Sequence, residues 1–182
     1  RRHLPAVHGA LVTGDLVAEL RRRGVDDVDD STLARALYSS DASLYRVVPQ
    51  VVARPRHPDD LLAVLDAVRE LGVPLTMRGA GTSIAGNAVG TGIVVDTSRH
   101  LDRVLSVDAA ARTTVVQPGA VHAVVQREAA RHGLRFGPDP STHSRCTVGG
   151  MIGNNACGSR ALGYGRTADN VAGMKVAFGT GD

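Results

Sequence analysis

The chain has 182 residues and a formal net charge of +3, with 43% hydrophobic and 21% charged residues. This composition is ordinary for a globular protein and excludes an intrinsically disordered chain. No apolar run approaches the roughly 18–20 residues of a membrane-spanning helix. Because aromatic residues make up only 3% of the chain and its arginines are scattered, nucleic-acid binding by base stacking is not expected.

Two short helices are predicted in the N-terminal part of the chain. They cover residues 13–23 and 31–38, with Ser31 as the N-cap of the second, and an acidic loop at 25–30 separates them. We interpret residues 1–48 as an N-terminal helical appendage. The start of the chain has no apolar signal region, so the expected location is the cytoplasm.

The main domain is predicted to cover residues 49–182 and to open with a βαβ unit. Strands at 51–53 and 75–78 flank a helix at 58–71, which begins at a proline and is followed by Gly72, as helices commonly are. The later predicted elements are strands at 93–96, 104–107, 113–117 and 171–178, a helix at 120–132, and an almost wholly irregular region at 137–165.

A glycine-rich loop at residues 79–92 follows the strand that ends at Arg78. Consecutive small residues can adopt positive φ and direct successive N–H groups at one anion, so residues 79–83 are a candidate phosphate cradle. A nucleotide-hydrolysing P-loop is excluded, because the glycine spacing continues with Asn87 and not with lysine. A Rossmann fold is not expected either, because the loop leads into a strand and not into a helix. Taken alone, the loop is also compatible with a hairpin turn that binds nothing.

A second glycine-rich stretch lies at residues 147–160, within the long irregular region, and loops of that length in compact domains are usually functional. Five motifs of these two regions are Arg78-Gly79-Ala80-Gly81-Thr82-Ser83, Asp139-Pro140-Ser141, Thr147-Val148-Gly149-Gly150, Asn155-Ala156-Cys157-Gly158 and Tyr164-Gly165. In this order and spacing they resemble the FAD-binding domain of the vanillyl-alcohol oxidase and p-cresol methylhydroxylase (PCMH) superfamily. The most similar branch contains FAD-linked oxidases and dehydrogenases of D-2-hydroxy acids, such as the glycolate oxidase flavoprotein subunit, D-lactate dehydrogenases and D-2-hydroxyglutarate dehydrogenases. Residues 38–45 also resemble the segment that precedes this domain in long members with an iron–sulfur domain.

The resemblance implies an α+β fold, namely a PCMH-type FAD-binding domain with mixed sheets and flanking helices. It implies noncovalent FAD, because Thr82 stands where covalently flavinylated relatives carry a histidine. The implied cofactor-binding residues are Arg78, Gly79, Ala80, Gly81, Thr82, Ser83, Gly86, Asn87, Pro138, Asp139, Pro140, Ser141, Thr147, Gly149, Gly150, Gly153, Asn154, Asn155, Ala156 and Gly158.

Within that set, the resemblance assigns the pyrophosphate to residues 79–83 and the adenine, ribitol and isoalloxazine to residues 138–158. A stretch built from Gly, Ala and Asn suits the close approach of a planar ring. The amides of Asn154 and Asn155 suit a flavin edge, although asparagine in a turn is more often a local cap. No metal site is expected, because no histidine pair has ligand spacing and two cysteines cannot hold an iron–sulfur cluster.

The implied reaction is oxidation of a small 2-hydroxy acid to the 2-oxo acid. Oxidation of another alcohol by the same superfamily and flavin binding without turnover are the alternatives.

No catalytic residue is assigned, and His143 is either a general base or a surface histidine. We expect the chain to end before the FAD domain is complete and to lack the substrate-binding cap domain, so that it has no turnover by itself. An iron–sulfur domain or subunit is a further expected partner. The alternative to a purely cytoplasmic location is peripheral attachment to the membrane through such an electron-transfer partner.

Overall fold

A computed structural model describes residues 13–180, and its centre is a four-stranded sheet. The strands have the order β1-β2-β4-β3, in which β2, β4 and β3 are parallel and β1 is antiparallel to β2. Val51 and Leu75 both pair with Ile93, so β4 lies between the two strands of the predicted βαβ unit. The strands are β1 (Val28–Asp29), β2 (Val51–Ala53), β3 (Leu75–Arg78) and β4 (Ile93–Asp96).

Three helices precede or flank this sheet, and their boundaries follow local chemistry. They are α1 (Thr13–Arg22), α2 (Thr32–Leu37) and α3 (Pro58–Leu71). The Ser31 hydroxyl caps α2 by accepting a hydrogen bond from the Ala34 N–H at 3.2 Å. Helix α3 ends at Gly72, which has φ +64° and supplies the left-handed C-cap. The predicted helices, the βαβ unit and the Ser31 cap are confirmed.

The core lies between the sheet and helices α1 and α3. Strands β2 and β4 are buried along their whole length, as expected for inner parallel strands covered on both faces. The buried apolar cluster consists of Leu16, Val17, Leu20, Val25, Val28, Val51, Ala53, Val64, Ala67, Ile93 and Val95. Helix α1 therefore shares its core with the strands that lead to the glycine loop.

The second half of the described chain begins with a two-stranded antiparallel hairpin and is otherwise helical or irregular. Its elements are β5 (Val104–Asp108), β6 (Thr113–Val116), α4 (His122–Ala130), α5 (Val148–Gly153), α6 (Ala161–Tyr164) and a 3₁₀ helix (Ala168–Asn170). The hairpin and α4 confirm the predicted elements, with α4 shorter at both ends. Because the glycine loop joins β3 to β4, the expected departure from a Rossmann arrangement is confirmed.

Three local predictions were wrong. The acidic segment at 25–30 contains β1, because Val28 is buried and pairs with Ala53. The region at 137–165 contains the short helices α5 and α6. Residues 171–178 form no strand, since no other strand in residues 13–180 pairs with them and most of their side chains are exposed. A strand needs a partner for its backbone groups, which a mostly apolar local sequence does not supply.

The division into a segment at 1–48 and a domain at 49–182 stays a prediction. Residues 1–12 and 181–182 lie outside the described part. Within residues 13–180, no helix has both the length and the apolar character that a membrane crossing requires.

Candidate functional site

The glycine loop leaves the carboxyl end of β3, which is where parallel sheets commonly place ligands. Gly81 has φ +66° and Gly86 has φ +77°, so the positive φ expected within the glycine loop is present at these two residues. Within the described part of the chain, the backbone N–H groups of residues 80–83 donate no hydrogen bond. The loop therefore presents consecutive donors without protein acceptors, as an anion cradle requires.

The loop lines a cleft of about 560 Å³, which we call the loop cleft. Its lining residues are Leu37, Ser40, Asp41, Ala42, Arg78, Ala80, Gly81, Thr82, Ser141, Thr142, Ser144 and Arg145. Three separate stretches of the chain thus meet there: the end of α2 with the residues after it, the glycine loop, and the turn at residues 141–145.

Residues 40–42 hold the glycine loop in place. The Ala42 N–H donates to the Gly81 carbonyl at 3.1 Å, and the Asp41 carboxylate accepts from the Ala88 N–H at 3.2 Å. Arg78 Nη1 donates to the carbonyls of Ser40 and Ala88, at 2.9 Å each. Sequence reasoning identified this segment only by resemblance and missed its place in the cleft.

The ring of Tyr38 contacts the guanidinium groups of two arginines, Arg54 and Arg78. The Cζ atoms of Arg54 and Arg78 are 5.5 and 5.1 Å from its centroid. The Tyr38 hydroxyl donates to Asp96 Oδ2 at 2.6 Å, and Asp96 is buried at the end of β4. Burial and the neighbouring Asp96 raise the pKa of Tyr38, so the hydroxyl stays protonated and keeps this bond at neutral pH. Because 58 positions separate Tyr38 from Asp96, no local sequence signal indicates the contact.

The second glycine stretch packs tightly against the protein. The N–H groups of Val148 and Gly149, at the start of α5, donate to the carbonyls of Ala120 and Pro118 at 2.9 and 2.7 Å. A Cβ on Gly79 would collide with the Thr147 side chain, and one on Gly149 would lie 2.9 Å from Pro118. Contacts within the protein therefore account for the small residues at these positions.

Asparagine side chains connect the two glycine stretches. Asn87 Nδ2 donates to Asn154 Oδ1 at 2.9 Å, and Asn154 is also the C-cap of α5. Asn155 has φ +45°, and its Oδ1 accepts from the Ala168 N–H at 3.0 Å. The amides of both Asn154 and Asn155 thus bond to protein groups, as local caps do.

Helix α4 positions the segment that contains the Asp139-Pro140-Ser141 motif. His122 Nε2 donates to the Pro138 carbonyl at 2.8 Å, and Gln126 both donates to and accepts from the backbone of Phe136. A second cleft of about 660 Å³, the helix cleft, lies beside this segment. Its lining residues are His122, Gln126, Ala130, Leu134, Arg135, Asp139, Pro140, Ser141, His143 and Ser159.

His122 should make stability depend on pH. Its side chain is 2% exposed, Nδ1 has no hydrogen-bond partner, and burial lowers its pKa below the usual 6.5. The groups around it are the His143 ring, 6.3 Å away between centroids, and the charges of Arg135 and Asp139. The unfolded chain binds the proton more readily, so the free energy of unfolding should fall as the pH drops below about 6.5.

Urea denaturation between pH 7.5 and 5 measures this effect. His122→Gln retains a donor for the Pro138 carbonyl but cannot titrate, so its stability should fall less steeply with decreasing pH than that of the wild type. His132→Gln removes an exposed imidazole just after the same helix and serves as the control. A slope in His122→Gln equal to that of the wild type would contradict the prediction.

The two cysteines differ in accessibility. Cys146 is buried, which raises the pKa of its thiol, whereas Cys157 is exposed. Among residues 13–180, no three His, Cys, Asp or Glu side chains are grouped as a metal site would need.

The predicted cofactor-binding residues are distributed over several places. Arg78, Ala80, Gly81, Thr82 and Ser141 line the loop cleft, and Asp139 and Pro140 line the helix cleft beside Ser141. The predicted residues that line neither cleft are Gly79, Ser83, Gly86, Asn87, Pro138, Thr147, Gly149, Gly150, Gly153, Asn154, Asn155, Ala156 and Gly158. Their roles toward a cofactor stay predictions.

The loop cleft fits the diphosphate of a dinucleotide cofactor. It offers backbone N–H donors without protein acceptors and two arginines, which are the groups that bind phosphate oxygens. Gly81 leaves its part of the cleft wall free of a side chain, and a Cβ there would collide with the Arg78 guanidinium. A cleft of about 560 Å³ is within the usual range for small-molecule and cofactor sites.

Comparison with known proteins agrees with this chemistry. A family profile described as "FAD binding domain" matches residues 49–182. The chain is 35% identical over 175 residues to the glycolate oxidase subunit GlcD of Bacillus subtilis, covering 94% of this chain and 37% of that protein. It is 38% identical over 152 residues to the D-2-hydroxyglutarate dehydrogenase of Pseudomonas putida, covering 82% of this chain and 15% of that protein. The chain thus spans well under half the length of these relatives.

Solved structures show the same fold at low sequence identity. The carbohydrate oxidase of Microdochium nivale has a TM-score of 0.78 at 17% identity, covering 92% of this chain and 36% of that one. An alkyldihydroxyacetonephosphate synthase has a TM-score of 0.77 at 21% identity, covering 92% and 33%. These similarities confirm the α+β fold that the resemblance to the PCMH superfamily implies. The chain belongs to the FAD binding domain family, and its cofactor is FAD.

Proposed function

We propose that this chain is the FAD-binding part of an oxidoreductase that converts a small 2-hydroxy acid to the 2-oxo acid. The observation that carries the proposal is the 35% identity to a glycolate oxidase subunit, which extends over 94% of the chain and includes the loop cleft. A D-2-hydroxyglutarate dehydrogenase, which acts on another 2-hydroxy acid, is a second relative at 38% identity.

The chain's own contribution in this proposal is to bind and orient the cofactor. The N–H groups of residues 79–83 hold the pyrophosphate, and residues 40–42 keep that loop in position. Residues 138–158 lie along the adenine, ribitol and isoalloxazine. Bound FAD supplies the redox chemistry, since an oxidised flavin accepts the hydride that is removed from the alcohol carbon.

Groups that hold the substrate carboxylate and take the hydroxyl proton are assigned to a further domain. One observation supports this division: the chain spans 37% of the first relative and 15% of the second. An iron–sulfur domain or subunit is the proposed electron-transfer partner. The proposed location is the cytoplasm or, through that partner, the surface of a membrane.

FAD should leave the protein on denaturation. Thr82 lies in the loop cleft, and a threonine hydroxyl does not form the ring linkage that a histidine can form. Acid precipitation should therefore give a colourless pellet and a yellow supernatant. A pellet that remains yellow after repeated washing would contradict noncovalent binding, and riboflavin added to the denatured protein controls for trapping.

Anaerobic mixing of the FAD-loaded protein with glycolate, D-lactate or D-2-hydroxyglutarate tests the function. In the native protein, one of these acids should bleach the flavin absorbance at ~450 nm within seconds, whereas L-lactate should not. Residues 1–182 alone should bind FAD without bleaching. If the native protein responds to none of the three acids, the 2-hydroxy acid assignment is wrong. Bleaching by residues 1–182 would place a complete substrate pocket in this chain.

A further inference from the structure

Arg145 is an exposed arginine that lines the loop cleft. Its guanidinium forms no hydrogen bond or ion pair with any residue from 13 to 180. Its main chain, in contrast, is held in place. The Arg145 and Cys146 N–H groups both donate to the Thr142 carbonyl at 2.8 Å, and the buried Cys146 carbonyl accepts from the first residue of α4. The turn therefore fixes the backbone of Arg145, while the guanidinium that lines the loop cleft stays unpaired.

Arg78, the other arginine of the cleft, is committed to protein groups. Its Nη1 donates to the Ser40 and Ala88 carbonyls, and its guanidinium lies over the Tyr38 ring. These contacts join the segment after α2 to both ends of the glycine loop. A guanidinium that is engaged in this way holds the loop but has few donors left for a ligand.

The cleft has more positive than negative charge. Asp41 is its one acidic lining residue. Burial opposes ionisation of this carboxyl, but hydrogen bonds from Ser43 and Ala88 outweigh burial and lower its pKa. An anion in the cleft would thus meet two guanidinium groups, of which that of Arg145 is unpaired, and one carboxylate that already accepts two N–H donors.

We propose that Arg145 pairs with the diphosphate of FAD, and that Arg78 positions the glycine loop. Planar guanidinium groups bind phosphate oxygens in a bidentate manner, and such charge-assisted hydrogen bonds are among the stronger ones in proteins. Arg145 then contributes to selectivity for FAD over a flavin without phosphate. This inference depends on FAD as the cofactor and is independent of the substrate.

Flavin fluorescence titrations of the apoprotein with FAD and with riboflavin test the proposal. Arg145→Gln should weaken FAD binding by at least about tenfold, leave riboflavin affinity unchanged, and reduce the salt dependence of FAD affinity. Arg145→Lys should restore most of the loss, because the charge is retained. The melting temperature of the apoprotein should not change in either variant, since the side chain has no partner to lose.

Two further variants separate charge and positioning effects. Arg127→Gln removes an exposed positive charge from α4 outside both clefts and should leave FAD affinity unchanged. Arg78→Lys should lower the melting temperature together with FAD affinity but retain the salt dependence. Equal FAD affinity in wild type and Arg145→Gln would overturn the proposal, as would equal losses for FAD and riboflavin. If the wild type binds no flavin, the cofactor site itself is wrong, whereas failure of the 2-hydroxy acid assignment would leave these affinities intact.

Discussion

Replacing Gly81 with valine should abolish FAD binding while the helices remain formed. Gly81 has φ +66°, and a Cβ at this position would collide with the Arg78 guanidinium. To relieve that collision, either the glycine loop or the Arg78 guanidinium that holds the loop must move. Both movements displace the N–H groups that face the cleft. Because two or more charge-assisted hydrogen bonds of roughly 1.5–3 kcal/mol each would be lost, FAD should bind more than about a hundredfold more weakly.

Gly133→Val is the matched control, because Gly133 has φ +69° and a Cβ added there would have no atom within 4 Å. It introduces the same backbone strain, about 1–2 kcal/mol for a left-handed residue, without a collision at the cleft. Flavin content after dialysis against FAD, together with circular dichroism, measures both variants. Equal flavin content in Gly81→Val and Gly133→Val would show that the glycine loop is not part of the cofactor site.

Truncating Leu20 to alanine should destabilise the whole domain by about 2–5 kcal/mol. Leu20 is 0% exposed and belongs to the same apolar cluster as Val51 and Ile93 of the central strands. Helix α1 contacts α3, β1 and β2. A cavity beneath α1 is therefore a cavity in the core that supports the glycine loop, and FAD binding should weaken at temperatures near the lowered unfolding transition.

Leu33→Ala provides the control for this prediction, because Leu33 is 69% exposed in α2 and its truncation should change stability by less than about 0.5 kcal/mol. Urea denaturation gives the free energies of unfolding, and hydrogen exchange of the β4 amides shows where stability is lost. If Leu20→Ala leaves the exchange of β4 unchanged, the N-terminal segment folds as an independent appendage.

Elements whose ends are marked by a proline or a glycine could be predicted from the sequence. Helix α3 has Pro58 at its start and Gly72 in the left-handed conformation at its end, and both residues act through their own backbone geometry. The turn at Gly81 was predictable for the same reason. Strand β4 follows from a continuous β-branched run, which is typical of a buried parallel strand.

Elements that depend on distant partners could not be predicted in this way. Strand β1 exists because Val28 meets Ala53, and helix α5 forms in a glycine-rich stretch whose first N–H groups reach the carbonyls of Pro118 and Ala120. Residues 171–178 are mostly apolar, but no strand in the described part of the chain pairs with them. The Tyr38–Asp96 bond and the uncommitted guanidinium of Arg145 likewise emerge only once the chain is folded.

The unequal burial of the two thiols makes the chain suitable for labelling at one position. Alkylating reagents react with thiolates, so the buried Cys146, whose pKa is raised, should react slowly near neutral pH while the exposed Cys157 is modified. Cys157 lies three positions after Asn154, whose amide bonds to Asn87 of the glycine loop. Because Cys157 belongs to the stretch proposed to lie along FAD, bound FAD should slow its alkylation, and the rate of labelling would report cofactor binding without any substitution in the sequence.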